Sequence, residues 1–167
     1  LEEHARAARL CREAGATVKT YLLIKPPFLT EREAIEDAVR SGHEADAHSD
    51  TISFNPVNVQ SRTLVDRLFR RGEYRSPWLW SVVEVLDRTR DLKAHVKSHP
   101  TAGGRVRGAH NCGTCDRKVV DAIEEFSLGL RTDFSDLACD CRALWQDYLD
   151  LQEFMLTPSD PLALLDL

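Results

Sequence analysis

Four of the chain's five cysteines fall in two close pairs: Cys112 and Cys115 spaced C-x2-C, and Cys139 and Cys141 spaced C-x-C. A C-x2-C turn lets two thiolates converge on one ion while main-chain amides face the sulfurs. Each pair precedes a helical pattern, and the positive end of a helix favours thiolates. Asp116 and Asp140 stand where they could cap those helices. The C-x-C pair carries a constraint. Residues two apart on a helix point about 200° away from each other. Both sulfurs therefore reach one ion only if Cys139 lies before the helix and Cys141 in its first turn. With no secretion signal, paired cysteines read as metal ligands before disulfides. A tetrahedral zinc ion on Cys112, Cys115, Cys139 and Cys141 is the leading reading. An iron–sulfur cluster uses the same ligand types, and buried or disulfide-bonded cysteines without metal form the bland reading. His110, two residues before Cys112, could replace one ligand. Four protein ligands leave no open position, so such a site is structural and staples two short helices.

A second group of polar residues gathers at the ends of predicted strands, where α/β folds bind ligands. The first loop runs from Lys25 and Pro26 to Phe28. The second holds Asn55, Pro56, Val57, Asn58 and Gln60. The third spans Ser98 to Asn111 and carries His99, Arg105, Arg107 and His110. Arg105 and Arg107 in a glycine-bearing loop suit an anionic ligand. Each has a plainer alternative: Lys25 as a solvated strand end, the asparagines as turn formers, the arginines as solvated charges.

The elements that must position these residues follow from periodicity and punctuation. Residues 2–14 read as a helix with Ala7, Leu10, Cys11 and Ala14 on its apolar face, Cys11 being a small buried residue, and Gly15 behind it. Residues 17–25 read as a strand stopped by Pro26-Pro27. Thr30 to Glu33 is a capping box opening a helix that Gly42 closes. A strand over 50–54 ends at Asn55-Pro56, a helix follows over 63–71, and Pro77 sits in the first turn of a further helix. That helix is apolar nearly all round, so deep burial is expected, with Trp78, Trp80 and later Trp145 as core residues. Residues 93–97 form a weaker strand, and helices follow at about 116–130 and 140–155, then a short apolar tail from Pro158. The alternation predicts parallel strands with helical crossovers. Three strands are too few for a closed eight-stranded barrel. The reading is an α/β fold: a partial TIM-type barrel over 1–98, a cysteine-rich helical metal-binding unit over 99–157, and a tail over 158–167.

The bulk numbers bound the function. The 167 residues are 43% hydrophobic, enough for one real core, and the net charge of −5 does not advertise nucleic-acid binding. No apolar run is long enough to span a bilayer, and no signal peptide opens the chain, so a cytoplasmic protein without membrane partners is expected. The chain opens on Leu1 and its one methionine is Met155, which suggests a piece of a longer protein.

The phrases KPPFLTEREAIEDA (25–38), NPVNVQ (55–60), YRSPWLWSVVEVL (74–86) and GAHNCGTCD (108–116) carry a resemblance. The chain resembles the archaeal radical S-adenosylmethionine (radical SAM) proteins of archaeosine biosynthesis, relatives of the Elongator catalytic subunit. Residues 17–40 look like the fifth strand–helix unit of such barrels and residues 50–74 like the sixth. The resemblance implies a 4Fe–4S cluster and S-adenosylmethionine. It further implies radical cleavage of a carbon–nitrogen bond in a lysine-modified deazaguanine of tRNA, and a partner subunit that attaches the lysine. The cluster motif C-x3-C-x2-C is absent, so the cluster ligands are expected upstream and this chain alone is expected to be inactive. By analogy Lys25, Pro26, Asn55, Pro56 and Val57 border the cofactor. Asn58, Gln60, His99, Arg105 and Arg107 face the substrate. The alternative is a non-catalytic, zinc-containing module that binds tRNA or a partner.

Overall fold

The computed structural model describes residues 2–152. In chain order it holds α1 (Glu2–Glu13), β1 (Lys19–Ile24), α2 (Glu31–Asp46), β2 (Thr51–Pro56), α3 (Leu64–Arg70), α4 (Leu79–Arg88), β3 (His95–Ser98), α5 (Asp116–Ser127) and α6 (Cys141–Gln152). The expected last turn of α6 with Met155, and the tail from Pro158, lie outside the described residues.

The three strands form one parallel sheet in the order β1-β2-β3, with Leu22 opposite Phe54 and Ile52 opposite Val96. Strand β2 runs through Asn55-Pro56, where a stop was expected. Pro56 takes its last position, opposite Ile24, where the ladder loses little from the missing donor. The Val57 N–H then continues the pairing by donating to Ile24 O at 3.0 Å.

Alternate residues divide the sheet into two faces. Ile24, Ile52, Phe54 and Val96 belong to one buried core with Ile35 and Ala38 of α2 and Trp80, Val82, Val85 and Leu86 of α4. The same core continues into Val119, Ile123 and Phe126 of α5 and Trp145 and Leu149 of α6. The two cysteine-bearing helices therefore do not lack a core. The other face behaves differently. Tyr21 is 63% and Leu23 56% exposed, and Lys19 beside them is exposed too.

Three local expectations change. Gly42 lies inside α2 and does not end it. A Cβ at Gly42 would meet the Phe54 ring at 2.8 Å, so the residue marks a close helix–sheet approach. Gly42→Ala is expected to destabilise the protein by about 1–3 kcal/mol through overpacking, outweighing the roughly 1 kcal/mol gained in helix propensity. The urea midpoint of the metal-loaded chain measures it, and a raised midpoint would contradict the close approach. Pro77 stands just before the N-cap of α4, which is Trp78. Helix α1 buries only Ala8, leaving Ala7, Leu10, Cys11 and Ala14 exposed. The predicted stripe is real in sequence, but nothing among the described residues covers it. Among the described residues no helix is long and apolar enough to cross a membrane.

Candidate functional site

The two cysteine pairs meet. The Cys112 and Cys115 sulfurs lie 3.9 Å apart, Cys112 and Cys139 3.8 Å, and Cys115 and Cys141 3.6 Å. All four fall within 4.8 Å of one another. Tetrahedral thiolate ligation at about 2.3 Å places neighbouring sulfurs about 3.8 Å apart, so the set fits one four-coordinate ion. A four-cysteine iron–sulfur cluster distributes its thiolates over two or four irons, which spreads sulfurs on different irons wider than this. The C-x-C constraint is met as expected, because α6 begins at Cys141 and Cys139 precedes it.

The loop before α5 is folded by Asp116. It is not the N-cap, which is Cys115; it opens the helix instead. Its carboxylate accepts the main-chain N–H groups of Asn111 and Gly113 at 3.0–3.2 Å. The main-chain N–H of Cys115, then that of Thr114, pull the exposed Cys112 thiol down to about 6. Burial pushes the Cys115 and Cys141 thiols up, so a bound ion must deprotonate those two. Both buried sulfurs accept side-chain hydrogen bonds, from Asn111 Nδ2 at 3.4 Å and from Trp80 Nε1 at 3.2 Å. Such outer partners orient metal ligands. Nothing in the local sequence marks Trp80, which lies far from either cysteine pair. His110 stands apart from the four sulfurs, with Nδ1–H donating to Gly108 O at 2.9 Å.

At the strand ends, Lys25 is not a solvated residue. It is 3% exposed, and its ammonium lies 2.6 Å from Glu31 Oε2, itself fully buried. The rings of Tyr74 and Tyr148 flank the ammonium at 5.7 and 5.9 Å. The other Glu31 oxygen accepts the Trp78 N–H at 2.8 Å and the Ser81 hydroxyl at 2.6 Å, and Trp145 Nε1 donates to that hydroxyl. The cluster ties β1, α2, α4 and α6 together. The Lys25 head group is thus committed inside the protein; only its main chain, held at φ 60° with its carbonyl accepting from Tyr74 OH, borders the loop to Pro26.

Arg107 is committed as well. Its guanidinium donates to Asp66 Oδ1 at 2.6 Å and to Val59 O at 3.0 Å, while Val59 N–H donates back to Arg107 O. Arg107 first, then Arg70 and the Arg62 N–H, hold the Asp66 carboxyl well below the usual carboxylate range. This link fastens the 99–115 loop to the loop after β2. That loop is tight as well, since a Cβ on Gly108 would lie 2.2 Å from Ala102 O. Asn55 Oδ1 accepts from Ser53 Oγ at 3.3 Å on the open sheet face. Gln60 donates to Asn58, Pro56 is buried, and Val57 is partly exposed. His99 and Arg105 are exposed. The three strand-end loops are therefore adjacent as the sequence implied, yet two of their three cations serve the fold.

Comparison with known proteins gives this arrangement a context. Archaeosine synthase subunit beta of Methanosarcina acetivorans is 42% identical over 156 residues, covering 92% of this chain and 45% of that protein. This chain is similar to archaeosine synthase subunit beta. The subunit of the same name from Thermococcus kodakarensis is also 42% identical, over 148 residues, covering 86% of this chain and 46% of that protein. An uncharacterised protein of Methanocaldococcus jannaschii is 31% identical over 162 residues, covering 94% and 44%. The chain spans a little under half the length of these curated relatives. No family profile and no solved structure matches it.

Proposed function

We propose that this chain is the C-terminal portion of a radical SAM enzyme that forms archaeosine in tRNA. The observation that carries the reading is the 42% identity, along nearly the whole chain, to two relatives named archaeosine synthase subunit beta. The uncovered sheet face supports it. Parallel sheets are normally buried on both faces, and Tyr21 and Leu23 lie exposed on one of them. In a barrel that face lines the interior, and helices α2 and α4 cover the outside, so a face left open along β1 fits part of a barrel.

In this reading the iron–sulfur cluster is ligated by residues outside this chain, and S-adenosylmethionine supplies the radical chemistry when bound. The chain's own residues shape the rim. Asn55, Pro56, Val57 and the main chain at Lys25-Pro26 border the cofactor. Asn58, Gln60, His99 and Arg105 face the substrate, and Arg107 acts through the loop it fastens. Zinc occupies the four-cysteine centre as a structural ion, with no open position for substrate. A subunit that transfers lysine to the tRNA base is the expected partner.

The full-length protein, given S-adenosylmethionine, a reductant and lysine-modified tRNA, is expected to yield archaeosine, whereas this chain alone gives no 5′-deoxyadenosine. Cleavage of S-adenosylmethionine by the chain alone, or a full-length protein inert on that tRNA, would overturn the reading. Elemental analysis is expected to return zinc near one per chain; iron with acid-labile sulfide at the cysteines would overturn that part. A second reading, a tRNA-binding module without chemistry, draws on Arg105, which is exposed and makes no ion pair among the described residues. Salt-dependent tRNA binding lost in Arg105→Gln, in a full-length protein that forms no archaeosine, favours it.

A further inference from the structure

Against the loop that leads into Cys112, on the side of α6, lies a group of hydrogen-bond donors without an acceptor among the described residues. Arg75 is half-buried and stacks on Trp78, its Cζ 4.1 Å from the ring centre. Its two terminal nitrogens donate to main-chain carbonyls, Ser76 O at 2.8 Å and His110 O at 3.1 Å. A guanidinium has five N–H groups, so three remain. No carboxylate lies within ion-pair distance of Arg75 among the described residues. The two closest in charge are already taken: Glu31 by Lys25, Trp78 N–H and Ser81, and Asp116 by the amides of Asn111 and Gly113. Trp78 Nε1 is buried and has no hydrogen-bond partner among the described residues. The Tyr148 ring packs on Trp78 with centroids 6.0 Å apart. Its oxygen accepts from Gln152 Nε2 at 3.0 Å, which leaves its own hydrogen free. Burial, and then the Glu31 charge, push the Tyr148 hydroxyl up, so it remains a donor at neutral pH.

A buried donor with no acceptor is costly, and a partly desolvated cation without a carboxylate in direct contact adds to that cost. Here both defects adjoin, since the Arg75 guanidinium lies on the Trp78 ring and the Tyr148 ring packs against it, and every group left unsatisfied is a donor. A cation would be repelled, and a neutral ligand would leave the charge unmatched. An oxyanion answers both needs. Donors come from three side chains on two separate elements, which suits a phosphate group with several acceptor oxygens better than a carboxylate with two.

We propose that Arg75, Trp78 and Tyr148 form a phosphate-binding site against the loop that leads into Cys112. The inference does not depend on the archaeosine reading, because its first test needs neither cofactor nor tRNA. The metal-loaded chain is titrated with inorganic phosphate and, separately, with tRNA, following tryptophan fluorescence and heat. Arg75→Gln is expected to weaken the responding ligand by at least about tenfold. Trp78→Phe keeps a ring under the guanidinium but removes the orphan N–H, and is expected to weaken it several-fold. Retained metal content and near-ultraviolet dichroism show that each variant folds. Saturable phosphate binding lost in Arg75→Gln supports the site with a free phosphate group as ligand. Binding of tRNA alone, sensitive to both variants, supports it with an RNA phosphodiester as the source. Binding of either ligand that neither variant changes, no binding of either, or acetate bound as tightly as phosphate, overturns the proposal.

Discussion

Stripping the metal with a strong chelator, or replacing Cys141 by Ser, is expected to cost on the order of 5 kcal/mol of stability. The reason lies in where the two buried ligands sit. Burial disfavours the Cys115 and Cys141 thiolates, so without the ion both are protonated and their hydrogen bonds from Asn111 and Trp80 lose an anionic acceptor. Cys141 is also the first residue of α6, which delivers Trp145 and Leu149 to the core and places Tyr148 over Lys25. The loss is smaller than the ~10–16 kcal/mol of isolated zinc-finger peptides, because α5 and α6 also bury apolar surface in the main core. Urea denaturation with and without chelator measures it. Equal midpoints, with metal shown to be bound beforehand, would remove the centre's structural role. Cys112→Ser should cost less, since that sulfur is exposed and forms its thiolate most readily.

Glu31→Gln is expected to cost about 3–5 kcal/mol, because it leaves the buried Lys25 ammonium without a counter-charge. Lys25→Met should be nearly as severe. The double variant Lys25→Met with Glu31→Gln removes both charges and is expected to recover a large part of the loss, giving a coupling that a double-mutant cycle reads directly. Singles that cost under about 1 kcal/mol, or a double variant no better than their sum, would show that the pair is not what holds β1, α2 and α4 together. The same measurement bears on the strand-end loop. If the pair fixes the positive-φ main chain at Lys25, the single variants raise hydrogen exchange at 25–31 before they unfold the sheet.

Local signals were legible in the sequence and distant ones were not. Thr30 and Glu33 form the expected capping box because both partners lie within one turn. Cys139 and Cys141 obey a constraint set by helix geometry alone. The parallel order of the strands follows from alternation with helices. Gly42 was misread because only the tertiary approach of Phe54 explains a glycine inside a helix. Lys25 and Arg107 look like ligand-facing cations in one dimension. Their carboxylate partners, Glu31 and Asp66, already have plausible local roles at helix starts, so no spacing betrays the pairing. Trp80 reaches a sulfur from a helix far from either cysteine pair in sequence, while Asn111 adjoins Cys112 but reads there as an ordinary turn residue. Arg75 lies in the phrase YRSPWLWSVVEVL, where no spacing singles it out.

Strand β1 has β2 on one side only, and along its other side the outward-pointing main-chain groups, those of about every second residue, find no strand among the described residues. With Tyr21 and Leu23 bare beside it and Lys19 its one charge, that edge is a template for another copy of itself. Handled apart from whatever normally covers it, the chain carries its own seed for filament growth.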